Sequence, residues 1–392
     1  MIHPLMRTDI QTFIRDNTGQ DVKALALGRM PGDWPRTLIL DQIAARQKAM
    51  RKTPDWINIA DIIFPSPNLM EQCSSHATAL FKSSLVSGNS FVDLTAGAGV
   101  DTVALSRNFK SGFAVEADEH AATCLRHNLP LLGAGLVGVI QGTAEDFIAT
   151  MKETDCVFID PQRRTSGKRG LMRLEDTVPN ILTLLPDLKQ KSKTILLKTS
   201  PVLDIDLGIQ QLAFVSAVHV LEHGGDAKEI LFIMTPENYP APDMVPVSAH
   251  KLNDDGVPTI TLSAPRQAEN NTDCPLSDPL RYLYEPGPAF MKAGLFRTIT
   301  QKYNVKKLHP STHLYTSEQP VNHFPGRIFE IDSILPVDKK AVPAKANLAI
   351  RNFPGSVEDL KKKLGIRDGG DIYLFACTFQ DGRKHLLSCR KT

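Results

Sequence analysis

Six cysteines are scattered along the chain (Cys73, Cys124, Cys156, Cys274, Cys377 and Cys389), and no two form a C-x-x-C pair. That scatter argues against a structural zinc site and against a disulfide framework, and it fits a reducing cytoplasm. No apolar run approaches the roughly 18 residues of a membrane span, and the first residues lack the apolar core of a signal peptide. An excess of charge of one sign is missing too, since the formal net charge over 392 residues is +2. A nucleic-acid surface would therefore be a local patch rather than a property of the whole chain. Neither a Ser-His-Asp order nor a P-loop can be traced. His223, His309, His313 and His323 lack ligand spacing with a carboxylate, so no metal site is expected. What remains is a soluble cytoplasmic protein long enough for two or three domains.

The chain is organised around Phe91-Val92-Asp93-Leu94-Thr95-Ala96-Gly97-Ala98-Gly99-Val100-Asp101-Thr102. A short apolar run ends in an acid, turns through two glycines and opens a helix over 102–107. Such a unit presents backbone N–H groups to a polar ligand. The spacing is D-x-x-x-G-x-G, and no third glycine closes a dinucleotide-type G-x-G-x-x-G turn. Asp101 would repel a pyrophosphate but attract the amino group or sulfonium of a ligand, which suits S-adenosylmethionine (SAM). Three further strand ends carry ligand-type residues in order. Residues 111–116 read as a strand ending in Glu116, where doubly wound sheets place an acid on ribose hydroxyls. A third strand over 136–141 precedes Gly142-Thr143-Ala144-Glu145-Asp146. A fourth, Asp155-Cys156-Val157-Phe158-Ile159, runs into Asp160-Pro161-Gln162-Arg163-Arg164.

As a set these motifs resemble the class I SAM-dependent methyltransferases over residues 85–235. The resemblance implies an α/β, Rossmann-like fold with a seven-stranded sheet, closed by an antiparallel hairpin over 214–221 and 229–235. It implies Asp93, Thr95, Gly97, Gly99 and Asp101 around the methionine part of SAM, and Glu116 on the ribose hydroxyls. Ala117 would pack on the adenine, with Ala144 and Glu145 at its edge. Asp160-Pro161 would stand where the methyl group leaves.

Residues 1–85 read as a helical cap. Within it a helix over 38–51 turns Leu40, Ile43, Ala44, Gln47 and Met50 to one face and leaves Arg46 and Lys48 outside. A helix over 69–82 follows, and two readings stay open for its Gln72, Ser75 and Lys82: an edge of the cofactor pocket, or an exposed polar face. The SAM-binding domain spans 86–240. Prolines clustered from Pro236 to Pro279 predict a connecting segment over 241–280. Beyond it, a helix over 289–303, short strands at 305–308 and 314–315, strands over 327–333, 347–352, 371–378 and 384–388, and a helix over 357–364 make an α+β part.

Six stretches of this part resemble the ferredoxin-like (281–325) and THUMP-like (326–392) modules of a bacterial group of such methyltransferases. They are Tyr284-Glu285-Pro286, Lys292-Ala293-Gly294, Leu308-His309-Pro310, His313-Leu314-Tyr315-Thr316-Ser317, Arg351-Asn352-Phe353-Pro354 and Gly369-Gly370-Asp371-Ile372-Tyr373-Leu374-Phe375. Glu71-Gln72-Cys73-Ser74-Ser75 fits the same group. True THUMP domains bring structured RNA to a methyltransferase, so the resemblance implies RNA as the partner.

Methyl transfer from a sulfonium asks chiefly that nucleophile and methyl carbon be held in line and water shed. A turn at Asp160-Pro161 exposes a carboxylate and a carbonyl, so Asp160 is assigned as substrate polariser or proton acceptor. Arg163 and Arg164 would clamp a phosphate or carboxylate; pairing with Glu175 or Asp176 is the alternative. By the same resemblance, enzymes that methylate exocyclic base amines carry an aromatic ring where Arg163 stands, so that reaction loses support. Uridine C5 enzymes share this arginine but use a cysteine where this chain has Lys198-Thr199-Ser200-Pro201, and Cys156 reads as core. Lys198 stays open between a substrate contact and a surface lysine. The basic run Arg163, Arg164, Lys168, Arg169 and Arg173 reads either as a polyanion contact or as a solvated loop. The sequence thus predicts methyl transfer from SAM to RNA. The alternatives are a small-molecule methyltransferase and a SAM-binding RNA adaptor without turnover.

Overall fold

From Gly88 the chain alternates strand and helix, as a doubly wound sheet requires. The computed structural model describes residues 2–163 and 173–392. The chain divides into one unit of Met1–Val218, Lys228–Pro240 and Leu252–Pro258 and another of His219–Ala227, Ala241–Lys251 and Thr259–Thr392.

The first sheet is built on β1 (Gly88–Asp93), β2 (Phe109–Glu116), β3 (Val137–Gln141), β4 (Thr154–Ile159), β5 (Ser192–Thr199) and the hairpin β6 (Val215–His223) and β7 (Asp226–Met234). Their order is β3-β2-β1-β4-β5-β7-β6, with β1 to β5 parallel and β7 antiparallel to β5. The strand order reverses between β1 and β4, and in open sheets of this kind the crevice lies outside the strand C-termini at that point. Val157, Phe158, Ile159, Ile195, Leu196 and Leu197 are all buried in succession. Continuous apolar runs of this sort belong to parallel strands covered on both faces.

The expected count of seven is corrected to nine, because β8 (Pro246–Leu252) and β9 (Pro258–Pro265) extend the hydrogen-bonded order beyond β6. The segment over 241–280 is therefore more than a connection. Its Pro246, Pro258 and Pro265 stand at strand termini, where Pro is tolerated. Val247, Ala249, Leu252, Leu262 and Ala264 supply buried side chains between them.

The N-terminal helices pack Leu5, Ile10, Ile14, Ile39 and Ile43, with Ile63 from the stretch that follows them, against Cys124 of the helix Glu119–Leu131. Asn128 fastens the two parts by accepting from Ile63 N at 3.1 Å and donating to Ile63 O at 2.6 Å. In the helix Arg36–Lys52 the expected face is wrong at two positions: Arg46 is buried and Met50 exposed. The Arg46 guanidinium donates to Ile57 O and stands 5.6 Å from the Phe64 ring centroid, so its burial is compensated. The helix expected over 69–82 is two, Pro67–Gln72 and His76–Ser84, because Ser75 accepts from Thr78 N and caps the second. The one expected over 289–303 is likewise broken, at Gly294 with φ +70°.

The second unit carries a sheet of β10 (Tyr282–Pro286), β11 (Lys306–His309), β12 (Thr312–Ser317), β13 (Gly326–Leu335), β14 (Asn347–Arg351), β15 (Ile372–Thr378) and β16 (Lys384–Lys391). The order is β11-β12-β10-β13-β16-β15-β14. β10 pairs with β13, so the ferredoxin-like and THUMP-like stretches share one sheet. Leu283, Phe329, Phe375, Leu387 and Cys389 form a core on one face, and the helix Val357–Leu364 adds Leu360 and Leu364 to a second cluster. No helix among the described residues is long and apolar enough to cross a membrane.

Candidate active site

The four strand ends singled out by sequence open on one cleft of about 720 Å³ in the first unit. β1 ends at Asp93, which is fully buried. Its carboxylate accepts from Thr95 N at 3.0 Å and from Thr102 Oγ1 at 2.5 Å. Burial pushes its pKa up to about 7 against those two hydrogen bonds. Asp93 knits the loop to the helix Val100–Ser106 and does not line the cleft; nor does Gly99. Gly97 does, with φ +54°, and its N–H donates to Glu116 Oε2 at 2.8 Å. The other Glu116 oxygen accepts from Asp118 N at 2.8 Å, so β2 presents a carboxylate held by backbone on both sides. Ala117, Ala144 and Glu145 line the same cleft. Ala144 opens a helix whose N-cap, Thr143, accepts from Asp146 N at 3.1 Å.

Asp101 also faces the cleft, and beneath it lies a buried network. Its Oδ2 accepts from Ser74 Oγ at 2.7 Å, and Lys82 Nζ stands 3.0 Å from its Oδ1. Lys82, 1% exposed, donates to Ser74 Oγ at 2.8 Å and to Glu229 Oε2 at 2.6 Å. Gln72 lines the cleft while Ser75 serves as a cap. Lys82 fits neither reading open to it, being a core cation between two carboxylates.

Asp160 is positioned by β4 and by Thr95, whose hydroxyl accepts from Asp160 N at 2.7 Å. The parallel register sets Ile159 beside Leu197, so the next residues, Asp160 and Lys198, are neighbours and form an ion pair. Burial raises the Asp160 pKa, and the Lys198 cation pulls the other way. Burial likewise disfavours charge on Lys198, but Asp160, Glu229 and Asp101 outweigh it and hold its pKa above the ordinary lysine range. Lys198 lines the cleft and is not a surface lysine. Pro161 and Gln162 continue the wall, and a short ribbon pairing Gln162 with Val178 brings Val178 and Pro179 to the same cleft. The side chain of Arg163 and the whole of Arg164, Lys168 and Arg169 lie outside the described residues. Of the two acids suggested as their partners, Glu175 and Asp176, Glu175 accepts from Gln211 Nε2 at 2.7 Å. Cys73 touches the cleft, but burial pushes its thiol up to about 11, which keeps it protonated near neutral pH. Cys156 is core, as expected.

The solved structure of a putative methyltransferase from Porphyromonas gingivalis W83 matches at 31% identity and a TM-score of 0.86, covering 98% of this chain and 98% of that one. The chain belongs to that methyltransferase family. Family matches divide it further into a region of Conserved hypothetical protein 95 (73–174), a ferredoxin-like domain (282–325) and a THUMP domain-like region (326–391). M. capricolum TrmK, solved with S-adenosyl-homocysteine, is 15% identical over 43% of this chain and 70% of that one, with a TM-score of 0.32. An rRNA methylase from Streptococcus thermophilus is 14% identical over 41% and 94%, with a TM-score of 0.30. Likenesses this low carry no functional weight. No curated protein matches the chain.

In this family member the sequence reading missed Ser74, Glu229 and the lining residues Val178, Pro179 and Lys228. A lysine closing an apolar strand was the one usable sign at Lys198. Glu229 gave none, since 147 positions separate it from Lys82.

Proposed function

We propose that this protein transfers a methyl group from SAM to RNA. The observation that carries the first half is the convergence of Gly97, Asp101, Glu116, Ala144 and Asp160 on one cleft at four parallel strand ends. The donor set fits the cofactor. Glu116, fixed by Gly97 N and Asp118 N, offers carboxylate lone pairs to ribose hydroxyls. Ala117 and Ala144 leave room for a flat base, with Glu145 at its edge. Asp101 offers an anion to the amino group of the methionine part. Bound there, SAM would supply an electrophilic methyl on a sulfonium. Asp160, steadied by Lys198, would hold the acceptor in line and take up its proton. The RNA half is supported by the THUMP domain-like region.

Calorimetric titration with SAM tests the first half. Wild type and Asp160→Ala are expected to bind in the micromolar range, roughly −8 kcal/mol, while Gly97→Arg fails to bind. An absence of binding to wild type would remove the reading. Labelled SAM with cellular RNA pools tests the second half: label should enter nuclease-sensitive material, and label confined to small metabolites would replace RNA as acceptor.

A further inference from the structure

Several motif residues that the methyltransferase chemistry does not use meet in the second unit. Glu285 of β10, its side chain 5% exposed, carries an arginine on each carboxylate oxygen. Arg327 of β13 stands opposite it in register and donates Nε to Oε2 at 2.8 Å, with Nη2 on the same oxygen. Arg351, the last residue of β14, reaches Oε1 through Nη2. β14 is an edge strand remote from β10 in the sheet order, yet side chains draw the two together at this end. Asn352 donates to Thr312 Oγ1 at 3.2 Å, and Thr312 Oγ1 donates to Thr378 O at 2.8 Å.

Exposure separates the acid from its partners. The carboxylate is closed off, whereas the Arg327 and Arg351 side chains are 46% and 36% exposed. Two cations on one anion leave a net positive charge, and the solvent-facing groups carry it. Arg327 Nη1 and Arg351 Nε make no hydrogen bond among the described residues, so both forks keep unused donors. Both are also held in place. Arg327 lies over the Phe329 ring at 5.5 Å, and Arg351 Nη1 donates to Ile350 O at 2.6 Å. Pairing with the buried acid uses one edge of each guanidinium, and the donors that remain face solvent, where a ligand can reach them. Paired guanidinium forks oriented by a buried acid are a donor set suited to phosphate oxygens.

We propose that Arg327 and Arg351, oriented by Glu285, form a phosphate-binding site whose ligand is a phosphodiester of an RNA backbone. This rests on the RNA half of the function proposed above and not on the SAM half. Inorganic phosphate shares the chemistry, so the test separates the two sources. The full-length wild-type chain is treated with phenylglyoxal, and modification of Arg327 and Arg351 is followed by peptide mass spectrometry. A short RNA hairpin is expected to slow both modifications several-fold, and inorganic phosphate at the same phosphate concentration is not. Slowing by inorganic phosphate alone would overturn the RNA assignment, and slowing by neither would overturn the site. A second arm follows hairpin affinity against salt in the double variant Arg327→Gln/Arg351→Gln. The log–log slope should become shallower by roughly 1–2, with SAM binding unchanged. An unaltered slope in a variant with the wild-type circular dichroism spectrum would sink the proposal. If the variant does not fold, protection of the wild-type arginines decides. Hairpin protection without any SAM binding would leave this site standing while the methyltransferase reading falls.

Discussion

Lys82 shows how a single residue is decided by its surroundings. A lysine at 1% exposure is tolerable only because Glu229, Asp101 and Ser74 surround its ammonium group at 2.6 to 3.0 Å. Helical spacing cannot reveal this, since a long side chain on a short amphipathic helix ordinarily lies on the wet face. Arg46 misled for the same reason. Replacing Lys82 with Met leaves two buried carboxylates without their cation. The loss expected is about 3–5 kcal/mol, read as a lower urea midpoint with an unchanged slope. Lys82→Met/Glu229→Met should recover part of it by removing one stranded charge. A single variant as stable as wild type would show that the network contributes nothing.

At the scale of the element, β1, the glycine loop and the helix Val100–Ser106 are joined by one carboxyl group. In the folded chain Asp93 has a pKa of about 7, against 3.8 for an ordinary aspartate. The folded state therefore binds this proton more tightly than the unfolded state does. Its contribution to stability is fully present below about pH 3.8 and is lost as pH rises through about 7. Unfolding free energy should fall between pH 4 and pH 7 more steeply in wild type than in Asp93→Asn. Parallel profiles would discard the buried-acid account. The strand and loop themselves were legible, because an apolar run, an acid and two glycines are local signs. The breaks at Ser75 and Gly294 were not, since a serine or glycine inside a helical pattern is ordinarily tolerated.

For the molecule as a whole, a net charge of +2 over 392 residues supplies no general attraction for a polyanion, so the RNA contact proposed above is expected at a local patch of arginines. The chain also holds two compact units with separate apolar clusters. A ligand bound to the cleft in the first unit should stabilise that unit by mass action, about 2.7 kcal/mol at a hundredfold excess over Kd. Scanning calorimetry is expected to show two transitions, of which SAM raises only one, and dialysis of SAM should return it. If the whole endotherm moves together, the two units unfold as one.

The amino-acid order alone determined the parallel sheet, its cofactor-type loop and the α+β tail, because periodicity, turn glycines and strand-ending acids act over a few neighbouring residues. Tertiary structure alone decided the pairs Lys82–Glu229, Asp160–Lys198 and Glu285 with Arg327 and Arg351, whose members lie 38 to 147 positions apart. It also turned a proline-rich passage into two strands of a larger sheet. Whether a charged side chain is buried, paired or left facing water depends on what the fold sets beside it, and local sequence carries no record of that neighbour.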